Sequence, residues 1–196
     1  MIKRLSLVAA TLAASTLPAF AHLNPEEHGS FMAGFSHPLF GSDHILVMVA
    51  VGIWAAQIAA TRHDRRALFM VPAAFVGAMA IGFLLALGGI ELPFVEPAIL
   101  ASVIALGLLV AMATRVPVNA AAAIVGIFAL FHGHAHGGEL GSAGALQFGI
   151  GFVIATALLH AAGMALGLGI AKLGPIAARL TGAATALAGL SLVLGG

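Results

Sequence analysis

The sequence predicts an all-α membrane protein, a polytopic bundle of six transmembrane helices that follows an N-terminal signal peptide. Apolar residues make up 61% of its 196 residues and charged residues only 8%, whereas a soluble domain has about 25% charged residues. The mean hydropathy is +1.12. The apolar residues form long continuous runs, unlike the alternating strands of about 10 residues in a membrane β-barrel.

The first 21 residues have the three parts of a secretory signal peptide. Lys3 and Arg4 form the positively charged start, and an apolar run over 5–17 follows. Ala19-Phe20-Ala21 is a small-x-small cleavage site. We expect cleavage after Ala21, with an uncleaved anchor as the alternative.

Cleavage leaves one transmembrane domain over 22–196. This domain begins with a polar external segment from His22 to Ser36. That segment contains several metal-binding residue types, which are either solvated or gather metal outside the membrane. These residues are His22, Glu26, Glu27 and His28.

Six apolar segments follow, each close to the roughly 20 residues that cross a bilayer. They cover about 43–60, 67–89, 97–114, 118–136, 143–171 and 175–194. Several glycines in these segments favour close helix packing, because lipid provides no hydrophobic drive for helix association. They are Gly77, Gly82, Gly163, Gly167, Gly182 and Gly189.

The basic residues predict the orientation of the chain. After residue 21, every Lys and Arg lies at one side of the predicted bundle, and every acidic residue except Asp64 lies at the other. The basic residues are Arg62, Arg65, Arg66, Arg115, Lys172 and Arg179. Because basic loops stay in the cytoplasm, we expect a bacterial inner-membrane protein with both mature termini in the periplasm.

The first chemical motif runs over 37–44, at the start of the first apolar segment. Its proline favours an extended His37 and its glycine permits a sharp turn, after which Ser42 or Asp43 would cap the helix. If the helix starts at the proline instead, His37 and His44 share one face. Both readings let His37, Asp43 and His44 converge on a metal; the alternative is a capped helix end with interfacial histidines.

The second motif runs over 131–139, at the end of the fourth segment. His132 and His136 are four residues apart and share a helical face, while His134 points elsewhere. The two following glycines free the backbone, so Glu139 can fold back towards the pair. Since the chain has no cysteine, a site here uses nitrogen and oxygen ligands, which suit a borderline divalent metal. A histidine-rich external loop is the alternative.

Two further residues are open to two interpretations. Glu96 begins the third segment, level with both motifs, and is either a metal ligand or a helix cap. His160 lies deep in the fifth segment with no polar neighbour in sequence. It is either a hydrogen-bonded core histidine or a group on an ion path.

His37-Pro-x-x-Gly-x-Asp43-His44 followed by Phe131-His132-Gly-x-Ala-His136-Gly-x-Glu139 resembles the signature pair of the HupE/UreJ family of nickel/cobalt permeases. The resemblance implies a secondary permease that imports Ni²⁺, sometimes Co²⁺, in bacteria that make hydrogenase or urease. It implies functional roles for His37, Asp43, His44, His132, His136 and Glu139. His134 occupies a variable position of the pattern.

The predicted partners are therefore the transported ion and the lipid bilayer, with no resident cofactor, no enzyme activity and no nucleic acid. The sequence lacks a phosphate-binding Gly-x-x-x-x-Gly-Lys loop, so this chain does not hydrolyse ATP. Two alternatives are a haem protein with two histidine ligands and an intramembrane hydrolase that uses Ser102 or Ser142 with His160. Neither has a supporting motif.

Overall fold

Helices account for nearly all of the described chain. A computed structural model describes residues 30–140 and 144–195, with Glu139 described by its backbone alone. These ranges contain no strand and seven helices, which confirms the all-α prediction for them. The helices are α1 (Phe31–Phe40), α2 (Ser42–Arg62), α3 (Ala67–Leu87), α4 (Val95–Ala111), α5 (Val118–Leu140), α6 (Ala145–Ala171) and α7 (Pro175–Gly195). The predicted signal peptide, the external residues before Ser30 and Ser142 lie outside the described ranges.

Five of the six predicted segments form helices that are long and apolar enough to cross a membrane, namely α2, α3, α5, α6 and α7. The remaining segment forms α4, an apolar helix of 17 residues. That length is at the short end of the range for spanning helices. The membrane character of the bundle is therefore clear, and the count of six spans stays a prediction.

Helix α1 was not expected, because residues up to Ser36 were predicted to form a polar external segment. Ser30 caps the helix by accepting a hydrogen bond from the Ala33 amide at 2.9 Å. Gly34 is buried directly against the backbone of Phe148 in α6. This packing also overrides the preference of Pro38 for an extended preceding residue, so the prediction of an extended His37 is wrong.

The bundle is built from three closely packed helix pairs. α3 packs along α5, α2 packs along α6, and α4 packs against α7. Glycines bring the backbones together: a Cβ on Gly163 would overlap the carbonyl of Val49, and one on Gly82 would overlap that of Leu130. A Cβ on Gly182 would likewise overlap the backbone of Ala111, and a Cβ on Gly167 or Gly189 would lie 3.0 or 2.8 Å from its nearest neighbour. Gly77 faces open space, so its predicted packing role is wrong.

Helix α2 lies at the centre of the bundle, with residues such as Val47, Val51 and Ile58 completely buried. In the C-terminal half of α2, the Trp54 indole donates to the Thr114 carbonyl and the Gln57 amide donates to the Val110 carbonyl, both at 3.1 Å. These bonds fix α2 against the end of α4. The N-terminal end of α2 lies beside the C-terminal ends of α1 and α5. This junction of three helices holds the polar cluster.

Candidate metal site

Four imidazoles and one carboxylate meet at the junction of α1, α2 and α5. They are His37 from α1, Asp43 and His44 from α2, and His132 and His136 from α5. The Nε2 atoms of His44 and His136 are 2.6 Å apart, and His44 Nδ1 is 2.9 Å from Asp43 Oδ1. The ring centroids of His37 and His136 are 4.3 Å apart.

The cluster contains two overlapping groups of potential metal ligands. One is His37, His44 and His136, and the other is Asp43, His44 and His132; within each group the ligand atoms lie within 4.8 Å of one another. His44 belongs to both. Nitrogen with one carboxylate oxygen is a ligand set that borderline divalent transition metals accept. The arrangement can therefore hold a cation without any thiolate.

The residues of the cluster are buried or half-buried among apolar side chains. His44, His132 and His136 are buried, while His37 and Asp43 are half-buried. The rings of Phe148 and Phe152 lie against His37, and Phe152 also contacts His44 and His136. In such an apolar enclosure a divalent cation is attracted to the Asp43 carboxylate more strongly than at an exposed site.

A helix break at Gly41 brings His37 close to the two ligands of α2. The predicted cap is wrong: Gly41 itself is the N-cap residue of α2, with no side-chain cap bond, and Asp43 lies in the first turn. A Cβ on Gly41 would be 2.7 Å from His44 Nδ1 and 3.1 Å from Asp43 Oδ1. Only glycine leaves room for both side chains here.

Helix α5 presents His132 and His136 on one face, as their spacing predicts. The predicted break at Gly137-Gly138 is wrong, because the helix continues to Leu140. A Cβ on Gly137 would overlap the carbonyl of Phe83 in α3, so this glycine serves helix packing. Glu139 therefore follows His136 by three residues on a continuous helix.

Two predicted ligands lie apart from the cluster. Glu96 is exposed in the first turn of α4, where it makes no cap hydrogen bond. His134 points away from the pair, as expected, and its Nε2 is 2.7 Å from the carbonyl oxygen of Ile90. Among the residues described, neither belongs to a potential metal group.

Sequence reasoning missed the contact between the buried Ser102 and the cluster. Its Oγ is 3.0 Å from His132 Nε2, across from α4 to α5. No motif surrounds Ser102, and its separation from His132 by 30 residues leaves no local signal. Only the packing of α4 against α5 brings the two together.

His160 is buried in α6, and its ring stands edge-on to Phe75 with 5.0 Å between centroids. Neither ring nitrogen has a hydrogen-bond partner within the described part of the chain. The interpretation as a hydrogen-bonded core histidine is therefore wrong. A buried polar group left unpaired costs about 1–3 kcal/mol, which favours a functional reason for its presence.

The geometry disfavours both alternative functions. No porphyrin plane fits between the His44 and His136 nitrogens at 2.6 Å. Ser102 contacts His132 rather than His160, and its hydroxyl is 2.5 Å from the Ile99 carbonyl oxygen, to which it donates its proton. A serine nucleophile must instead give its proton to the neighbouring base.

The chain is similar in sequence to known proteins. No solved structure matches it significantly. The family model described as HupE / UreJ protein matches residues 9–192. The chain belongs to the HupE/UreJ family. It is also 46% identical to Protein HupE of Rhizobium leguminosarum bv. viciae over 193 residues, which are 97% of this chain and 98% of that relative.

Membership of the HupE/UreJ family agrees with the resemblance carried by the two histidine motifs. In this member the motifs, 87 residues apart between His44 and Phe131, supply all five residues of the cluster.

Proposed function

We propose that this chain is a secondary permease that imports Ni²⁺ or Co²⁺ across the bacterial inner membrane, for the maturation of hydrogenase or urease. The observation that carries the proposal is the buried cluster of four imidazoles and one carboxylate at one end of an apolar helix bundle. Such groups are expensive at membrane depth unless they bind something. A cation that enters this cluster is the cargo of the protein.

The ligand set supports a borderline divalent cation as the substrate. Imidazole and carboxylate bind Ni²⁺ and Co²⁺, whereas Mg²⁺ and Ca²⁺ prefer oxygen alone. Asp43 contributes one negative charge within the cluster. The family motif adds Glu139, three residues beyond His136 on α5, as a second carboxylate of the proposed site.

Burial suggests the order in which the ion meets its ligands. His37 and Asp43 are half-buried, and His132 is completely buried. The basic residues lie at the opposite end of the helices, which the positive-inside rule assigns to the cytoplasm. We therefore propose entry from the periplasm at His37, transfer to His44 and His136, and then passage towards His132.

We propose His160 as the next group on the path. Phe152 contacts the cluster, and His160 follows it on α6 by eight residues, or about 12 Å along the helix axis. The ring of Phe75 contacts both His132 and His160, at centroid distances of 5.9 and 5.0 Å. His160 has two unpartnered nitrogens to offer a cation that leaves His132.

Uptake of radiolabelled Ni²⁺ and Co²⁺ into cells that express the chain tests the proposal. We expect saturable uptake that is lost in His136→Gln and retained in His134→Gln, a matched change two residues away on the same helix. The amount of each variant in the membrane is measured in parallel. Equal uptake by cells with and without the chain would contradict a permease function.

A further inference from the structure

Ser102 connects helix α4 to the candidate metal site through a single hydroxyl. Its side chain is fully buried. The hydroxyl oxygen is 2.5 Å from the Ile99 carbonyl oxygen in its own helix and 3.0 Å from His132 Nε2 in α5. One hydroxyl therefore faces two partners of different kinds.

The positions of the protons follow from these two contacts. A carbonyl oxygen has no proton, so the short contact with Ile99 requires Ser102 to donate its only proton there. The serine oxygen can then only accept from His132, which means that His132 Nε2 carries a hydrogen. In neutral His132 the lone pair is consequently on Nδ1.

We propose that Ser102 is a positioning residue that holds His132 with its proton on Nε2 and its Nδ1 lone pair available to the cation. This inference rests on the proposed metal site. Nδ1 is buried and has no hydrogen-bond partner within the described ranges. It is thus the nitrogen that His132 has to offer the group formed with Asp43 and His44.

The hydrogen bond from Ser102 to the Ile99 carbonyl determines which way the serine lone pair points towards His132. A serine that bonds a carbonyl of the preceding helical turn has its side chain fixed, so its acceptor lone pair has a fixed direction. His132 must then turn its Nε2–H towards that lone pair. In metal sites, partners that orient a ligand histidine in this way change metal affinity by about 10–100-fold when removed.

The first test reads the histidine directly, in purified full-length protein without metal. Histidine labelled with ¹⁵N distinguishes a protonated from an unprotonated ring nitrogen, and the spectrum of His132→Gln assigns the His132 signals. We expect neutral His132 to be protonated at Nε2 in the wild type and in Ser102→Thr, which keeps the hydroxyl. In Ser102→Ala we expect a mixture of both tautomers. An unchanged tautomer in Ser102→Ala would overturn the proposal.

The second test measures the affinity of the same proteins for Ni²⁺ by titration. We expect Ser102→Ala to bind about tenfold more weakly and Ser102→Thr to recover most of the loss. Ser191→Ala is the matched control, because Ser191 makes the same local bond, to the Ala188 carbonyl at 2.7 Å, with no imidazole contact described. Equal affinities for the Ser102 and Ser191 alanine variants would overturn the inference.

The two tests separate this inference from the function on which it rests. If the wild type binds no Ni²⁺, the proposed permease site fails, while the tautomer measurement still decides the role of Ser102. If Ser102→Ala does not accumulate, Ser102→Cys replaces it. Cysteine keeps the shape but accepts hydrogen bonds weakly, so it too should release the His132 tautomer.

Discussion

Asp43 is the carboxylate of the described cluster, and in the proposed function it compensates the charge of the cation. We expect Asp43→Asn to reduce Ni²⁺ uptake by more than about tenfold, because the amide has nearly the same size but no charge. We expect a similar loss in Glu139→Gln, because the family motif makes Glu139 the second carboxylate of the proposed site. Glu96→Gln is the control, since Glu96 is an exposed carboxylate outside the cluster. Normal uptake by Asp43→Asn at wild-type abundance would show that the site is wrong.

A variant of His160 can distinguish a role of this residue in transport from a role in folding. An unpaired buried imidazole destabilises the fold by about 1–3 kcal/mol. We therefore expect His160→Leu, which has no polar atom to satisfy, to accumulate in the membrane at least as well as the wild type. Ni²⁺ uptake by the same variant should fall several-fold, because the proposed path loses the ligand that follows His132. Wild-type uptake in His160→Leu would remove this residue from the path.

At the scale of elements, the break between α1 and α2 sets the distance between His37 and the ligands of α2. We expect Gly41→Ala to reduce uptake strongly although it adds only one methyl group. The added Cβ would lie 2.7 Å from His44 Nδ1, so the imidazole must leave its position between Asp43 and His136. The matched variant is Gly138→Ala, where a Cβ has open space. Similar losses in both variants would point to helix propensity rather than to the geometry of the site.

The sequence predicts helices and shared helix faces well where a local pattern of apolar or histidine residues determines them. The apolar runs predict six long helices, of which five are long enough to span a membrane and the sixth has 17 residues, and the spacing of His132 and His136 predicts their shared face. Features set by contacts between distant residues were missed. α1 forms because Gly34 fits against α6, and α5 continues through Gly137 because that glycine packs on α3. The position of Ser102 beside His132 likewise follows from helix packing, which no local pattern records.

At the scale of the whole molecule, the three main helix pairs share one symmetry. The pairs are α2–α6, α3–α5 and α4–α7. A two-fold axis in the membrane plane that exchanges α2, α3 and α4 with α5, α6 and α7 turns the first pair into the second and the third into itself. The symmetry is incomplete, because α2 also packs against α3 and α4 more extensively than α5 packs against α6 and α7. In secondary transporters, inverted repeats produce such a pairing of helices, with cation sites between the repeats.

The proposed function predicts how uptake by the whole molecule responds to external pH, because the proposed ligands are mostly histidines. Imidazole binds a metal only through a nitrogen lone pair, so protons compete with the cation. At low Ni²⁺ concentration we expect uptake to fall as external pH drops from about 7 to about 5.5, a range in which histidines commonly gain a proton. Raising the Ni²⁺ concentration should recover much of the loss. Uptake that rises on acidification would instead indicate proton-coupled import.

The direction of transport depends on the orientation of the bundle. Both ends of the transmembrane domain are proposed to face the periplasm, because six spans return the chain to its starting side and the basic loops stay in the cytoplasm. Alkaline phosphatase, which is active only outside the cytoplasm, should be active when fused after Gly196 and inactive when fused after Arg115. The decisive element is α4, whose 17 residues are fewest among the proposed spans. If α4 does not cross, both activities are reversed: the Arg115 fusion is active and the Gly196 fusion is inactive, and the proposed path from periplasm to cytoplasm fails with them.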